Sequence, residues 1–508
     1  MTHTVHRLAT ALLGLPLAAA TALVAAPPGW AGTPSDTPSD TPSDRPADRP
    51  PARATMSFSK GVLTVRGTKA GQTMTVARNG RSVSVRVDGR KLPVPKGYAN
   101  RTCDEIRILG LAGDDEMRID STKGALPDVV LVGGKGDDDL AGGTRSDLLD
   151  GSQGNDALHP GGGADDVLQG GLGADTYDID ADLVGGATVA EPDADGPDRL
   201  VLADTAAPLS IGLGDNRTQA VTSSYSIALP GRGVENLVGG SGDDHLVGSD
   251  RPNRIEGGPG NDIIRPTAMM GLDSPGNLLV GDAGDDTFEL FVSCYACGSS
   301  RIEDSSGSDT VSFVGSGGAL TTRLDSTAPQ TIAYDYRLQL TTESAVDNVI
   351  GGGSDDITGN DLPNRLNGWY GDDTLTGKGG ADTFVVGGPY PGLDGWGDDI
   401  VTDFAGGTDS VDLDPGMSVM GGLGTTTVTI WNGTTDQGTI TASNGHLWAA
   451  QRWPLDAVIV PSSVVPSQIV TVGVPKPLLT DIPESRSTES LPPAKSVTVS
   501  SPQPPRPG

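Results

Sequence analysis

Aspartate recurs in this chain at a fixed slot of a nine-residue unit, and a row of evenly spaced carboxylates is chemistry for cations. Set out by nines from Gly124, the chain reads GALPDVVLV, GGKGDDDLA, GGTRSDLLD and GSQGNDALH, then GGGADDVLQ and GGLGADTYD after one extra residue at Pro160. The sixth slot holds Asp138, Asp147, Asp156, Asp166 and Asp175, with Asp128 one place early; the eighth holds Leu140, Leu149, Leu158, Leu168 and Tyr177. An earlier unit, GLAGDDEMR at 110–118, anticipates the register. It returns at 239 with GGSGDDHLV, GSDRPNRIE and GGPGNDIIR, at 281 with GDAGDDTFE, and at 350 with IGGGSDDIT, GNDLPNRLN, GWYGDDTLT and GKGGADTFV. These units add Asp244, Asp262, Asp286, Asp355, Asp373 and Asp382 to the sixth slot.

Each unit reads as a turn followed by a very short strand. Glycine supplies backbone angles that other residues avoid, the eighth side chain points inward, and the sixth carboxylate stays in the turn. If successive units run along opposite sides of a flattened coil, alternate units stack about 4.7 to 4.9 Å apart. Stacking sets Asp147 and Asp166 on one edge and Asp138, Asp156 and Asp175 on the other. Like charges so close keep the chain unfolded unless cations lie between them. Calcium suits such a place, because it accepts about six to eight oxygens and a glycine-rich turn bares its carbonyls; magnesium demands a tighter octahedron. The turn glycines Gly134, Gly136, Gly154, Gly173, Gly242, Gly260, Gly284 and Gly371 therefore join the aspartates as candidate metal-holding residues.

The units resemble the G-G-x-G-x-D-x-U-x nonapeptide of the repeats-in-toxin, or haemolysin-type calcium-binding, family. The stretch DDIVTDFAGGTDSVDL at 398–413 is similar to the segment that closes such rolls. The resemblance implies an all-β fold, a parallel β-roll or β-solenoid in three blocks with small β capping domains, and several bound Ca²⁺ ions. Turn carbonyls and sixth-slot aspartates of neighbouring repeats would enclose each ion. Asn253 and Asn364 replace the acid, and Arg145, Ala164, Arg251 and Leu362 replace the fourth-slot glycine, so sites on those edges should be weaker or absent.

Composition agrees with a cation-loaded chain. Acidic residues number 66 against 35 basic ones, a net charge of −31 that repels nucleic acid and anionic membranes. Hydrophobic residues make up 35% and aromatics 4%, too little for several ordinary cores, so a compact α/β enzyme is not expected. The same composition is that of disordered chains; the phased repeats argue for order when calcium is present.

Residues 8–26 form an Ala/Leu-rich stretch after Arg7 and read as the centre of a secretory signal peptide cut after Ala31. The chain accordingly divides into a signal peptide at 1–31, a Pro/Ser/Asp-rich linker at 32–54, an N-terminal β domain at 55–120 and a first calcium β-roll block with outer strands at 121–235. A second β-roll module follows at 236–346, a third block with the closing segment at 347–415, a C-terminal β segment at 416–470 and a Pro/Ser-rich disordered tail at 471–508. The stretches 235–264 and 347–375 resemble each other as wholes, which suggests a duplicated module. Cys294 and Cys297 are spaced to close a small disulfide loop, leaving Cys103 free.

No catalytic constellation accompanies the repeats: there is no H-E-x-x-H, no G-x-S-x-G and no phosphate loop. His159 and His245 occupy variable slots and read as solvated surface residues. The expectation is a secreted, extracellular calcium-binding repeat protein that folds on Ca²⁺ binding, not an enzyme, serving as a scaffold or adhesion/matrix protein. Its partners would be calcium ions and cell-surface or matrix components, with no nucleic acid and no membrane span in the mature chain. The alternative is an exported hydrolase or toxin whose β-roll is a secretion and folding module.

Overall fold

The computed structural model describes residues 53–442 and 459–460, apart from 80–81, 96–97, 99–102, 192–195, 268–275, 293–297, 305, 387–396, 406–407, 414–417, 421–426 and 432–435. The expected signal peptide, the tail, nearly all of the linker, and Cys294 and Cys297 lie outside the described residues. Among the described residues every regular element is a strand, none is a helix, and most strand pairs are parallel. The chain folds as a β-solenoid.

The nine-residue period becomes alternation between two walls. Asp139–Ala141, Ala157–His159 and Thr176–Asp178 are three-residue strands that bury only their middle residue, Leu140, Leu158 and Tyr177. They stack in parallel, with Leu158 beside Leu140 on one side and Tyr177 on the other. On the opposite wall, Asp128–Lys135, Leu148–Gln153 and Gly163–Leu172 align Leu131, Leu149 and Leu168 in the same way. Each such burial contributes roughly 1.5–3 kcal/mol. A chain poor in aromatics thus builds its core largely from single apolar side chains of short strands, and the inward residues join into one continuous cluster.

Residues 55–120, expected as a separate domain, continue the same two walls. Val62–Arg66 pairs in parallel with Glu105–Leu109, which pairs with Asp128–Lys135; Thr73–Asn79 pairs with Glu116–Asp120, which pairs with Asp139–Ala141. The hairpins read from the sequence are present as antiparallel edges: Thr55–Ser59 on Val62–Arg66, and Ser82–Val87 on Thr73–Asn79. They cover the strand edges that would otherwise offer open backbone groups.

Four sheets share the work of the two walls. The first sheet ends where Tyr225–Ala228 folds back against Thr218–Ala220, and a third begins just before it, at Ser210–Gly212. The second ends where Tyr336–Leu340 folds back against Gln330–Ala333, and a fourth begins at Thr321–Arg323. Both handovers carry the same fastening. Gln219 accepts the N–H of Gly212 (2.8 Å) and donates to its carbonyl (2.8 Å); Gln330 does the same to Arg323 (2.9 and 2.8 Å). A repeated module is therefore visible in the structure, built from a strand that starts a new wall and a hairpin that closes an old one.

Candidate metal-binding turns

The sixth-slot aspartates stand where the chain turns from one wall to the other. One carboxylate oxygen of each accepts the backbone N–H of a residue one coil earlier, most often another acid, so the turns are laced into columns. Asp115 donates to Asp138 (2.7 Å), Asp138 to Asp156 (2.7 Å), Asp156 to Asp175 (2.7 Å) and Asp175 to Asp198 (2.8 Å). On the other edge Val129 donates to Asp147 and Asp147 to Asp166, both at 2.9 Å. Further along, Asp244, Asp262, Asp286 and Asp309 form one column, Asp355, Asp373 and Asp399 another, and Asn364, Asp382 and Asp409 a third.

The structure thus brings together every predicted aspartate except Asp128. That residue begins a strand, is half-buried, and lies 3.7 Å from the Arg145 guanidinium, while its neighbour Val129 supplies the backbone donor to the column. Asp115, Asp198, Asp309, Asp399 and Asp409 extend the columns beyond the sequence reading.

The second carboxylate oxygen carries the functional signal. In Asp115, Asp138, Asp156, Asp166, Asp262 and Asp286 it is buried without a hydrogen-bond partner, although none of these residues is more than 2% exposed. A buried, unpaired anionic oxygen is expensive. Spread over three columns, the six are hard-oxygen donors of the kind calcium takes.

Burial is the main cause of a matching electrostatic strain, with neighbouring acids adding to it and the backbone N–H opposing it. The carboxyl groups are raised to about 6 in Asp138, Asp286 and Asp382, about 7 in Asp115, Asp147, Asp156 and Asp262, and about 8 in Asp166. Asp373 is raised by burial and by Asp399 beside it. Asp175 accepts the N–H of Asp156 and lies among the same acids.

The glycines explain why so much charge packs so closely. A Cβ at Gly154 would fall 1.9 Å from the carbonyl oxygen of Gly136, and one at Gly173 would fall 1.7 Å from that of Gly154. Gly242, Gly260 and Gly284 form a second column (2.2 and 1.7 Å), and Gly371 underlies Gly397 at 1.9 Å. Gly134 has φ +124° and closes on the carbonyl of Leu111. The predicted glycines therefore lie in backbone contact beside the aspartates, with their carbonyls bare.

Two further sets escaped the sequence reading. The first-slot glycines are needed because the orphaned oxygen lies against them: a Cβ at Gly133, Gly151 or Gly257 would meet Asp138, Asp156 or Asp262 Oδ2 at 2.2–2.3 Å. The fifth-slot residues form an outer column in which Asp114 accepts from Asp137 N–H (3.0 Å), Asp137 from Asn155 (2.8 Å) and Asn155 from Ala174 (2.9 Å). The repeated G-G opening and the N/D-D doublet were their signals.

The departures also have a physical account. Asn253 Nδ2 donates to the carbonyl of Glu235 and Asn364 Nδ2 to that of Asp347, both at 2.8 Å, while their Oδ1 atoms accept from Ser249 and Asn360. An amide bridges these coils without charge. Asp147, Asp244 and Asp355 have both oxygens engaged, the second by Gly143, Gly240 and Gly352 N–H. His159, read as solvated, sits between Asp178 (3.2 Å) and Asp139 (3.6 Å), and the Asp178 hydrogen bond raises its pKa. Cys103 is a free, buried thiol whose pKa burial raises.

Comparison with known families fits this geometry. The model of the RTX calcium-binding nonapeptide repeat matches residues 132–167, 161–181, 238–266 and 349–384. Among curated proteins none matches the chain. The matched segments contain Asp138, Asp147, Asp156, Asp166, Asp175, Asp244, Asp262, Asp355, Asp373 and Asp382, and the chain carries the RTX calcium-binding nonapeptide repeat in four copies.

Proposed function

We propose that the protein is an exported, non-catalytic scaffold that folds when calcium fills its turns and then serves as a rigid extracellular adhesion or matrix element. The reading rests on one observation: the second oxygens of Asp138, Asp156, Asp166 and Asp262 within the matched calcium-binding repeats, and of Asp115 and Asp286 in adjoining coils, are buried and unpaired. Ions held by these oxygens and the neighbouring turn carbonyls would supply the positive charge that lets the coils stack. At millimolar extracellular calcium, and with affinities of extracellular modules near about 10⁻⁴ to 10⁻³ M, the sites fill outside the cell and stay empty in the cytosol. Folding is then coupled to export.

The test is a calcium titration of the chelator-stripped full chain followed by far-ultraviolet circular dichroism, with magnesium as control. A transition with calcium and none with equal magnesium is expected; its absence removes the reading. Ester, peptide and glycan hydrolysis by the calcium-loaded chain is expected to be nil, and turnover of any of them would favour an enzyme instead.

A further inference from the structure

The column Asp244, Asp262, Asp286, Asp309, which continues to Asp347, has at Asp309 an arrangement that its earlier coils do not share. In those coils the first turn slot is glycine: Gly257 faces Asp262 and Gly281 faces Asp286. One coil later, Ser299–Glu303 pairs with Asn277–Ala283 so that Glu303 lies opposite Val280. The next residue, Asp304, thereby takes the slot of Gly281. A Cβ built on Gly281 would fall 2.3 Å from Asp286 Oδ2 and 2.5 Å from Asp304 Oδ2, so the two oxygens converge on one point from neighbouring coils. Asp309 completes the group, and one carboxylate oxygen from each of the three lies within 4.8 Å of the others.

An acidic cluster alone would mean little, but this one includes a buried oxygen that no protein donor meets. Asp286 is 1% exposed, and its Oδ2 is buried without a hydrogen-bond partner and aimed into the cluster. Asp309 is equally buried. We propose that Asp286, Asp304 and Asp309 form a three-carboxylate calcium site within this column. It lies between the segments matched at 238–266 and 349–384, and its third carboxylate stands where the repeat has glycine. Three anionic ligands attract a divalent cation more strongly than two, and ligand charge is a main determinant of calcium affinity.

The corresponding place in the first column is built differently. Val189 lies opposite Leu168, which brings Glu191 to the level of Gly170. There the Tyr177 hydroxyl donates to Glu191 Oε2, and Gly170 N–H donates to both (2.8 Å to Tyr177, 3.1 Å to Glu191). A protein donor commits that carboxylate. In the second column the eighth slot holds Phe288, whose ring has no hydroxyl to offer.

This site rests on the calcium-binding reading, and the experiment separates the two. Full-length chain stripped of metal is dialysed to equilibrium against calcium chloride, and bound calcium per chain is measured for wild type, Asp304→Asn and Asp304→Gly. The glycine variant restores the residue found in this slot at Gly257 and Gly281, and circular dichroism at saturating calcium confirms that the variants fold. Both variants are expected to bind one calcium fewer per chain, with the remaining sites unchanged. If they bind as many ions as wild type with the same midpoint, the site is overturned while calcium binding stands. If wild type itself binds none, both fall.

Discussion

Removing calcium and then lowering the pH should first unfold the solenoid and then restore it. The carboxyl groups of Asp115, Asp138, Asp147, Asp156, Asp166, Asp262, Asp286 and Asp382 are raised from 3.8 to between about 6 and about 8. A folded-state pKa above the unfolded one means that the folded chain holds the proton more tightly. The stability these groups contribute is therefore complete below pH about 4 and lost as pH rises through about 7. At about 1.4 kcal/mol per pKa unit, and halved for water at the turn surface, each ionised group costs roughly 2 kcal/mol without metal. Together the eight reach on the order of 15 kcal/mol, as large as the whole stability of an ordinary domain at about 5–15 kcal/mol. The chelator-stripped chain is thus expected to lack the β signal at pH 8, to regain it near pH 5, and to regain it at pH 8 on adding calcium. Circular dichroism on desalted protein reads all three states. A stripped chain as structured at pH 8 as at pH 5 would refute the argument, because the buried carboxylates would then cost nothing.

Other perturbations separate the parts of the turn. Asp156→Asn keeps an acceptor for the Asp138 N–H but removes a charged ligand. It should raise the calcium midpoint and remove roughly 2.7 kcal/mol of calcium-dependent stability at one hundred times Kd, while making the metal-free state at pH 8 less unfavourable; loss of stability in both states would leave the aspartate a hydrogen-bonding role only. Gly173→Ala places a Cβ 1.7 Å from the Gly154 carbonyl oxygen at φ +145°. Its cost should exceed the ~1–3 kcal/mol of backbone strain alone, read as a lower urea midpoint in saturating calcium. Tyr177→Phe removes the donor to buried Glu191 and should cost ~1–3 kcal/mol in the same assay, and an unchanged midpoint would show that Gly170 N–H suffices.

What was legible in the sequence was whatever the period of nine could report. The eighth-slot leucines and sixth-slot aspartates fall on fixed sides of the coil, so their stacking partners follow from counting: Asp138 under Asp156 under Asp175 is what the hydrogen bonds show. Residues 55–120 were read as separate hairpins because alternation by two looks the same in a hairpin and in a coil. The parallel pairing of Val62–Arg66 with Glu105–Leu109 spans too much chain for local pattern to report. The handover between sheets was equally hidden, since a three-residue strand such as Ser210–Gly212 carries no period that names its neighbour.

The finest distinction among the acids lay outside any pattern of residue types. Asp147 and Asp156 occupy the same slot of adjacent units, yet Asp147 has both oxygens engaged by backbone N–H groups and Asp156 has one buried and unpaired. The difference comes from the turn before each acid. Gly143 N–H points at Asp147, whereas no backbone N–H of the Asp156 turn meets Asp156 Oδ2. At Asp147, Asp244 and Asp355 a backbone donor meets the second oxygen, so no oxygen there is left without a partner. Dependence on calcium therefore concentrates in the coils of Asp115, Asp138, Asp156, Asp166, Asp262 and Asp286, and substitution there should move the calcium midpoint further than the same change at Asp147, Asp244 or Asp355. Equal shifts in the two sets would mean that the unpaired oxygens are not what the ion answers.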